Sequence, residues 1–180
     1  MNRSNGLFEV IRLVTQADAP RFVDYYQRNA HHLKTWEPQR EANYHNLKSW
    51  QQRLEAWCSG QEQGLEAHFI WLEQDNMLGL ANLSGVIHGP FKACYLGYSV
   101  DGQSQGKGIG KQLVEYSCTH AFEVLKLNRV MANYMPRNTR SERLLASVGF
   151  KREGTALKYL KIDGRWQDHI LSALLNPNSD

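Results

Sequence analysis

Apolar residues recur along the chain at two spacings, and each change of spacing marks a change of element. FEVIRLV (8–14) is a short apolar run of strand type. From Thr15 to Leu33 the period turns helical: Phe22, Val23, Tyr26 and Ala30 share a face, Asp18 can cap and Pro20 suits a first turn. TWEPQRE (35–41) contains Pro38 and reads as a loop, and a second helix is expected over 44–60 with Leu47, Trp50, Leu54 and Trp57 on one side. Three strand-like runs follow, at 67–73, 77–87 and 91–100, with QDN (74–76) and HGP (88–90) as their turns. After a glycine-rich stretch, Ile109, Leu113, Tyr116, Ser117, Ala121 and Val124 mark a helix ending near Leu125. RVMANYM (129–135) is strand-like, and 138–149 is a short helix that Asn138 can cap and Gly149 can stop. FKREGTALKYL (150–160) and RWQDHILSALL (165–175) read as a last pair of strands joined by IDG (162–164). The order β-α-α-β-β-β-α-β-α-β-β predicts an α/β fold: a mixed, mostly antiparallel sheet with one parallel crossover, flanked by helices.

Length and composition narrow this further. One domain over 1–180 is expected from 180 residues, and 42% hydrophobic residues suffice for a core. No apolar run approaches the roughly 20 residues of a membrane span, and MNRSNGLFEVIRLV lacks the layout of a signal peptide. A soluble cytoplasmic protein without a membrane partner is therefore expected. A net charge of +3 with interspersed signs does not call for sequence-specific nucleic-acid binding, but tolerates a polyanionic small ligand. Cys58, Cys94 and Cys118 are odd in number and far apart, as buried free thiols would be. His31 and His32 are adjacent on a helix, so their rings diverge; no metal is expected.

The chemistry concentrates in DGQSQGKGIGKQLVEY (101–116). Gly102 and Gly106 are one residue too close for a P-loop, and Lys111 stands where a dinucleotide fingerprint needs its third glycine. What remains is Gln105-Gly106-Lys107-Gly108-Ile109-Gly110 between a strand and a helix. Such a loop offers unpaired backbone N–H groups, a helix dipole and the positive charge of Lys107 and Lys111. It suits a pyrophosphate. A glycine-rich turn before an ordinary helix is the other reading of the same spacing.

The Q-x-x-G-x-G of residues 105–110, at a strand end and a helix start, resembles the acetyl-coenzyme A motif of the GNAT N-acetyltransferases. NTRSERLLASVGFKREG (138–154) is similar to the N-x-x-S and GF-x-x-E-G pattern of their Rim-type branch. LKTWEP (33–38), ACYLGYS (93–99), RVMANYMPRN (129–138) and IDGRWQDH (162–169) resemble the RimJ type, [ribosomal protein]-alanine N-acetyltransferases. The resemblance implies that fold, with a splayed parallel strand pair at the cofactor site. It also implies acetyl-CoA as co-substrate, and direct attack of a free amine in a ternary complex. The implied acceptor is the N-terminal alanine of a ribosomal protein, with the small ribosomal subunit as the implied partner. By the same resemblance, Gln105, Gly106, Lys107, Gly108, Ile109, Gly110 and Lys111 give loop amides to the pyrophosphate. Tyr98, Ser99 and Val100 present backbone to pantetheine, Asn138 touches the cofactor arm, and Ser141 reaches the sulfur, to hydrogen-bond the thioester or to protonate the leaving thiolate. Asn138 as a plain helix cap and Ser141 as a surface serine are the alternatives.

No carboxylate occurs in TALKYLKI (155–162), where some relatives carry their base. Glu37 in TWEP is the first candidate base, with a surface carboxylate as its plain reading; Asp168 and His169 are lesser candidates. Trp36, Tyr95, Tyr98 and Tyr134 either line the acceptor site or belong to the core. Two further readings stay open: the same fold acting on a small amine (a polyamine, an amino acid or an antibiotic), or a ribosome-assembly factor that retains the fold.

Overall fold

The computed structural model describes residues 10–179. The elements in chain order are β1 (Ile11–Leu13), α1 (Ala19–Leu33), α2 (Leu47–Glu62), β2 (Ala67–Glu73), β3 (Asn76–Ile87), β4 (Ala93–Val100), α3 (Ile109–Glu123), β5 (Arg129–Met131), α4 (Thr139–Val148), β6 (Lys151–Ile162) and β7 (Arg165–Leu175). Phe8 and Glu9, in the first expected strand, lie outside the described residues.

Among the described residues the strands form one sheet in the order β1-β2-β3-β4-β5-β7-β6. Every pairing is antiparallel except β4 with β5. Gln74 and Asp75, both at positive φ, make the tight β2–β3 turn. Both faces of β2 are covered, which explains its near-continuous apolar run. Phe69 points into the core under α3 and α4, and its neighbour Ile70 into the core under α1 and α2.

Three expectations about the helices need correcting. The buried face of α1 is Phe22, Tyr25, Asn29 and Leu33, whereas Ala30 is exposed; polar contacts of Tyr25 and Asn29, described below, turn that face inward. Asp18 sits at the N-cap of α1 but makes no side-chain cap bond there. Its buried carboxylate accepts instead from Arg12 at 2.7 Å and from the Thr15 amide at 2.8 Å. In α2, Trp50 and Leu54 are buried but Leu47, at the helix start, is 46% exposed. Asn46 caps this helix, accepting from the Ser49 amide at 2.8 Å.

The strand expected over 129–135 is shorter, and this matters for the site. Ladder pairing of β4 with β5 runs only from Ala93↔Arg129 to Tyr95↔Met131. Beyond Met131 the chain follows β7: the Ala132 amide donates to Ser172 O, and Tyr134 bridges Ile170. Leu96–Val100 of β4 thus continues without β5 beside it, so the parallel pair splays, as the resemblance implies.

Candidate active site

Four segments converge at the open end of β4. The first is the glycine loop. Gly106 and Gly108 have φ of +78° and +83°, and Gly108 is the N-cap of α3. A side chain with a Cβ adopts this conformation at a cost of about 1–2 kcal/mol. Among the described residues no side chain caps α3, so its first-turn amides and the positive end of its dipole are open to an anion. A Cβ on Gly110 would lie 2.9 Å from Leu144 Cδ1 and 3.3 Å from Val100 Cγ2. Glycine there lets α3 approach α4 and the end of β4. Ile109 sends its side chain into the core, leaving only its backbone for a ligand. Lys111 is exposed and 3.7 Å from Glu115; Lys107 is exposed beside Gly108.

The second segment is the end of β4, where alternation sends successive side chains to opposite faces. Tyr98 OH lies 2.7 Å from Ser141 Oγ on α4, and Ser99 Oγ lies 2.9 Å from Tyr25 OH on α1. Burial pushes the Tyr98 phenol up to about 12, so it stays protonated at neutral pH.

The third segment is the start of α4. Asn138 Oδ1 accepts from the Ser141 amide at 3.1 Å, so its capping role is explicit, and its Nδ2 keeps its donors.

The fourth is the loop after α1. Glu37 is half-buried, and burial raises its carboxyl to about 7 against the opposing pull of Arg40. Its backbone carbonyl accepts from the Asp163 amide in the β6–β7 turn at 3.1 Å. Arg137 ties this loop to the approach to α4, donating to Thr35 O at 3.2 Å and lying 5.4 Å from the Trp36 ring.

The lesser base candidates are committed elsewhere. Asp168 Oδ1 accepts from the Lys158 amide at 2.8 Å, holding a bulge in β6. His169 is buried, its Nδ1 3.1 Å from Gln167 O. Of the aromatic candidates, Tyr134 belongs to the core, Tyr95 is exposed, and Trp36 and Tyr98 are half-buried at the site. Cys94 and Cys118 are buried and pushed up to about 12, which keeps both as thiols. Among the described residues no group of three or more His, Cys, Asp or Glu could hold a metal, and no helix is long and apolar enough to cross a membrane. Sequence reasoning missed the Tyr98 hydroxyl, Arg137 and the inner face of α1. Tyr25, Arg28, Asn29 and His32 do stand at i, i+3, i+4 and i+7, but such polar spacing reads equally as a solvated helix face.

The chain itself matches a known family over residues 10–151, described as "Acetyltransferase (GNAT) domain". The chain belongs to the GNAT acetyltransferases. It is 43% identical over 171 residues to the [Ribosomal protein uS5]-alanine N-acetyltransferase of Escherichia coli K12, covering 94% of this chain and 88% of that protein. The crystal structure of ribosomal-protein-S5-alanine acetyltransferase from Vibrio fischeri superposes with a TM-score of 0.91 at 37% identity, over 94% of each chain. Mycobacterium smegmatis RimJ in complex with CoA-disulfide superposes at 0.87 with 30% identity, over 94% of this chain and 84% of that one. GNAT enzymes use acetyl-CoA, and the open α3 terminus with its positive-φ glycines fits the polyanionic part of that molecule.

Proposed function

We propose that this chain transfers the acetyl group of acetyl-CoA to the N-terminal α-amine of a ribosomal protein, alanine being the acceptor residue. The observation that carries acetyl transfer is the end of β4. There the strand runs on without β5, beside an uncapped α3, with Tyr98 and Ser141 2.7 Å apart. The likeness to enzymes named for uS5-alanine acetylation supports the acceptor. We take that acceptor to be met in the cytoplasm, on or before entry to the small ribosomal subunit.

In this reading the amides of Gly106–Lys111 hold the pyrophosphate, with Lys107 and Lys111 adding charge. The free backbone of Tyr98–Val100 pairs with pantetheine, and Asn138 Nδ2 steadies the same arm. Acetyl-CoA supplies an activated thioester. Glu37 accepts a proton from the incoming amine. An α-amine has a pKa of about 7.7–8.0, so a carboxylate with a pKa of about 7 is a matched base. Ser141 Oγ–H faces the departing sulfur, and Tyr98 donates to Ser141 and so orients it. No enzyme nucleophile is needed.

A polyamine acceptor is the alternative that the likeness to uS5-alanine enzymes disfavours. The test is thiol release from acetyl-CoA with an Ala-first peptide of the uS5 N-terminus, the same peptide with its α-amine blocked, and spermidine. Turnover on the free peptide alone is expected. Turnover on spermidine alone would overturn the acceptor.

A further inference from the structure

One face of α1 grips the segment that leads from β4 into the glycine loop. Arg28 Nε donates to Asp101 Oδ1 at 3.0 Å. Asn29 Nδ2 donates to the same oxygen at 2.9 Å, and Asn29 Oδ1 accepts from the Gly102 amide at 2.8 Å. Gln105 Nε2 lies 2.6 Å from His32 Nε2. Asp101 passes the constraint on: its carboxylate Oδ2 accepts from the Gln103 amide at 3.1 Å, while its backbone carbonyl accepts from the Ser104 amide at 2.9 Å. Asn29 and Asp101 are 3% and 5% exposed. At that burial an amide–carboxylate pair costs stability unless every polar atom is matched, and here they are matched. Burial opposes charge on Asp101, but the bonds from Asn29 and Arg28 outweigh it and hold the carboxyl below its ordinary range.

We propose that Asn29 is a positioning residue for acetyl-CoA binding. Through Asp101 and the Gly102 amide it sets the turn Gly102–Ser104, and so presents the Gln105–Lys111 loop to the pyrophosphate. Asn29 touches no substrate; it acts through the loop. The inference rests on the cofactor half of the proposed function and not on the acceptor.

The test sets Asn29→Asp beside a control, Leu54→Ala, which opens the core under α2 away from the loop. Asn29→Asp sets two carboxylates against each other. Binding of CoA is measured by calorimetry on the full chain, together with melting temperature and steady-state constants. Asn29→Asp is expected to weaken CoA binding 10-fold or more and to raise KM for acetyl-CoA, with kcat at saturation within threefold. Leu54→Ala is expected to lower the melting temperature while CoA binding stays within threefold of wild type. CoA binding unchanged in Asn29→Asp overturns the inference. So does a loss of CoA affinity in Leu54→Ala as large as that in Asn29→Asp, since that marks global destabilisation and not positioning of the loop. Wild-type CoA binding without peptide turnover would sink the acceptor assignment and leave this inference standing.

Discussion

The hydroxyls of Tyr98 and Ser141 meet at 2.7 Å, joining the free end of β4 to the first turn of α4. In the proposed reaction Tyr98 is the donor of this pair, which leaves the Ser141 proton for the departing thiolate. Ser141→Ala should lower kcat roughly 10–100-fold with little change in KM for acetyl-CoA. Tyr98→Phe should cost less alone and nothing further in the Ser141→Ala background, because the two act as one unit. Additive losses in a double-mutant cycle would separate them.

Glu37 gives a pH signature. With its carboxyl at about 7, kcat/KM should rise through pH 7 as the base form appears. Glu37→Gln should lose that limb, keep a limb near the α-amine pKa, and fall roughly 100-fold at pH 7.5. An unchanged profile in the variant would remove Glu37 from the mechanism.

The same shift has a stability consequence. A carboxyl whose folded pKa is raised from 4.5 to about 7 stabilises the fold in its neutral form, and that contribution is lost as pH rises through the folded pKa. Glu37→Gln should therefore gain stability over wild type as pH rises from 5.5 to 8. The gain is limited to about 2 kcal/mol by linkage, and to less after allowing for the half-exposed site. Melting temperatures at the two pH values measure it.

The Gly108 conformation predicts a cofactor defect. Gly108→Ala places a Cβ at φ +83°, costing about 1–2 kcal/mol and tilting the first turn of α3. KM for acetyl-CoA should rise several-fold, and CoA should protect the variant less against thermal unfolding than it protects wild type. Equal protection would mean that the loop does not bind the cofactor.

Cys94 is fully buried and protonated. Cys94→Ala should cost about 1 kcal/mol of stability and leave kcat within twofold. A trapped acetyl-enzyme, or a burst of CoA release without acceptor, would contradict direct transfer.

Much of this protein was legible from spacing alone. The β4–β5 crossover, the Gly106–Gly110 loop and the Asn138 cap all rest on local rules of periodicity, φ and end-capping, which act within a few residues. Such rules do not say where a ladder stops. RVMANYM looks like one strand, yet its pairing with β4 ends at Met131 while its bonds to β7 run on to Tyr134. Nor do they tell Asn29 from a surface asparagine; its partner Asp101 lies 72 residues away.

Sequence by itself thus determined the elements, their order, the glycine-rich strand-to-helix loop and the family. Tertiary structure decided which side chains meet: Tyr98 with Ser141, Tyr25 with Ser99, Asn29 with Asp101. It also decided the acidity of Glu37, because desolvation is set by what packs around a group and not by its neighbours in the chain.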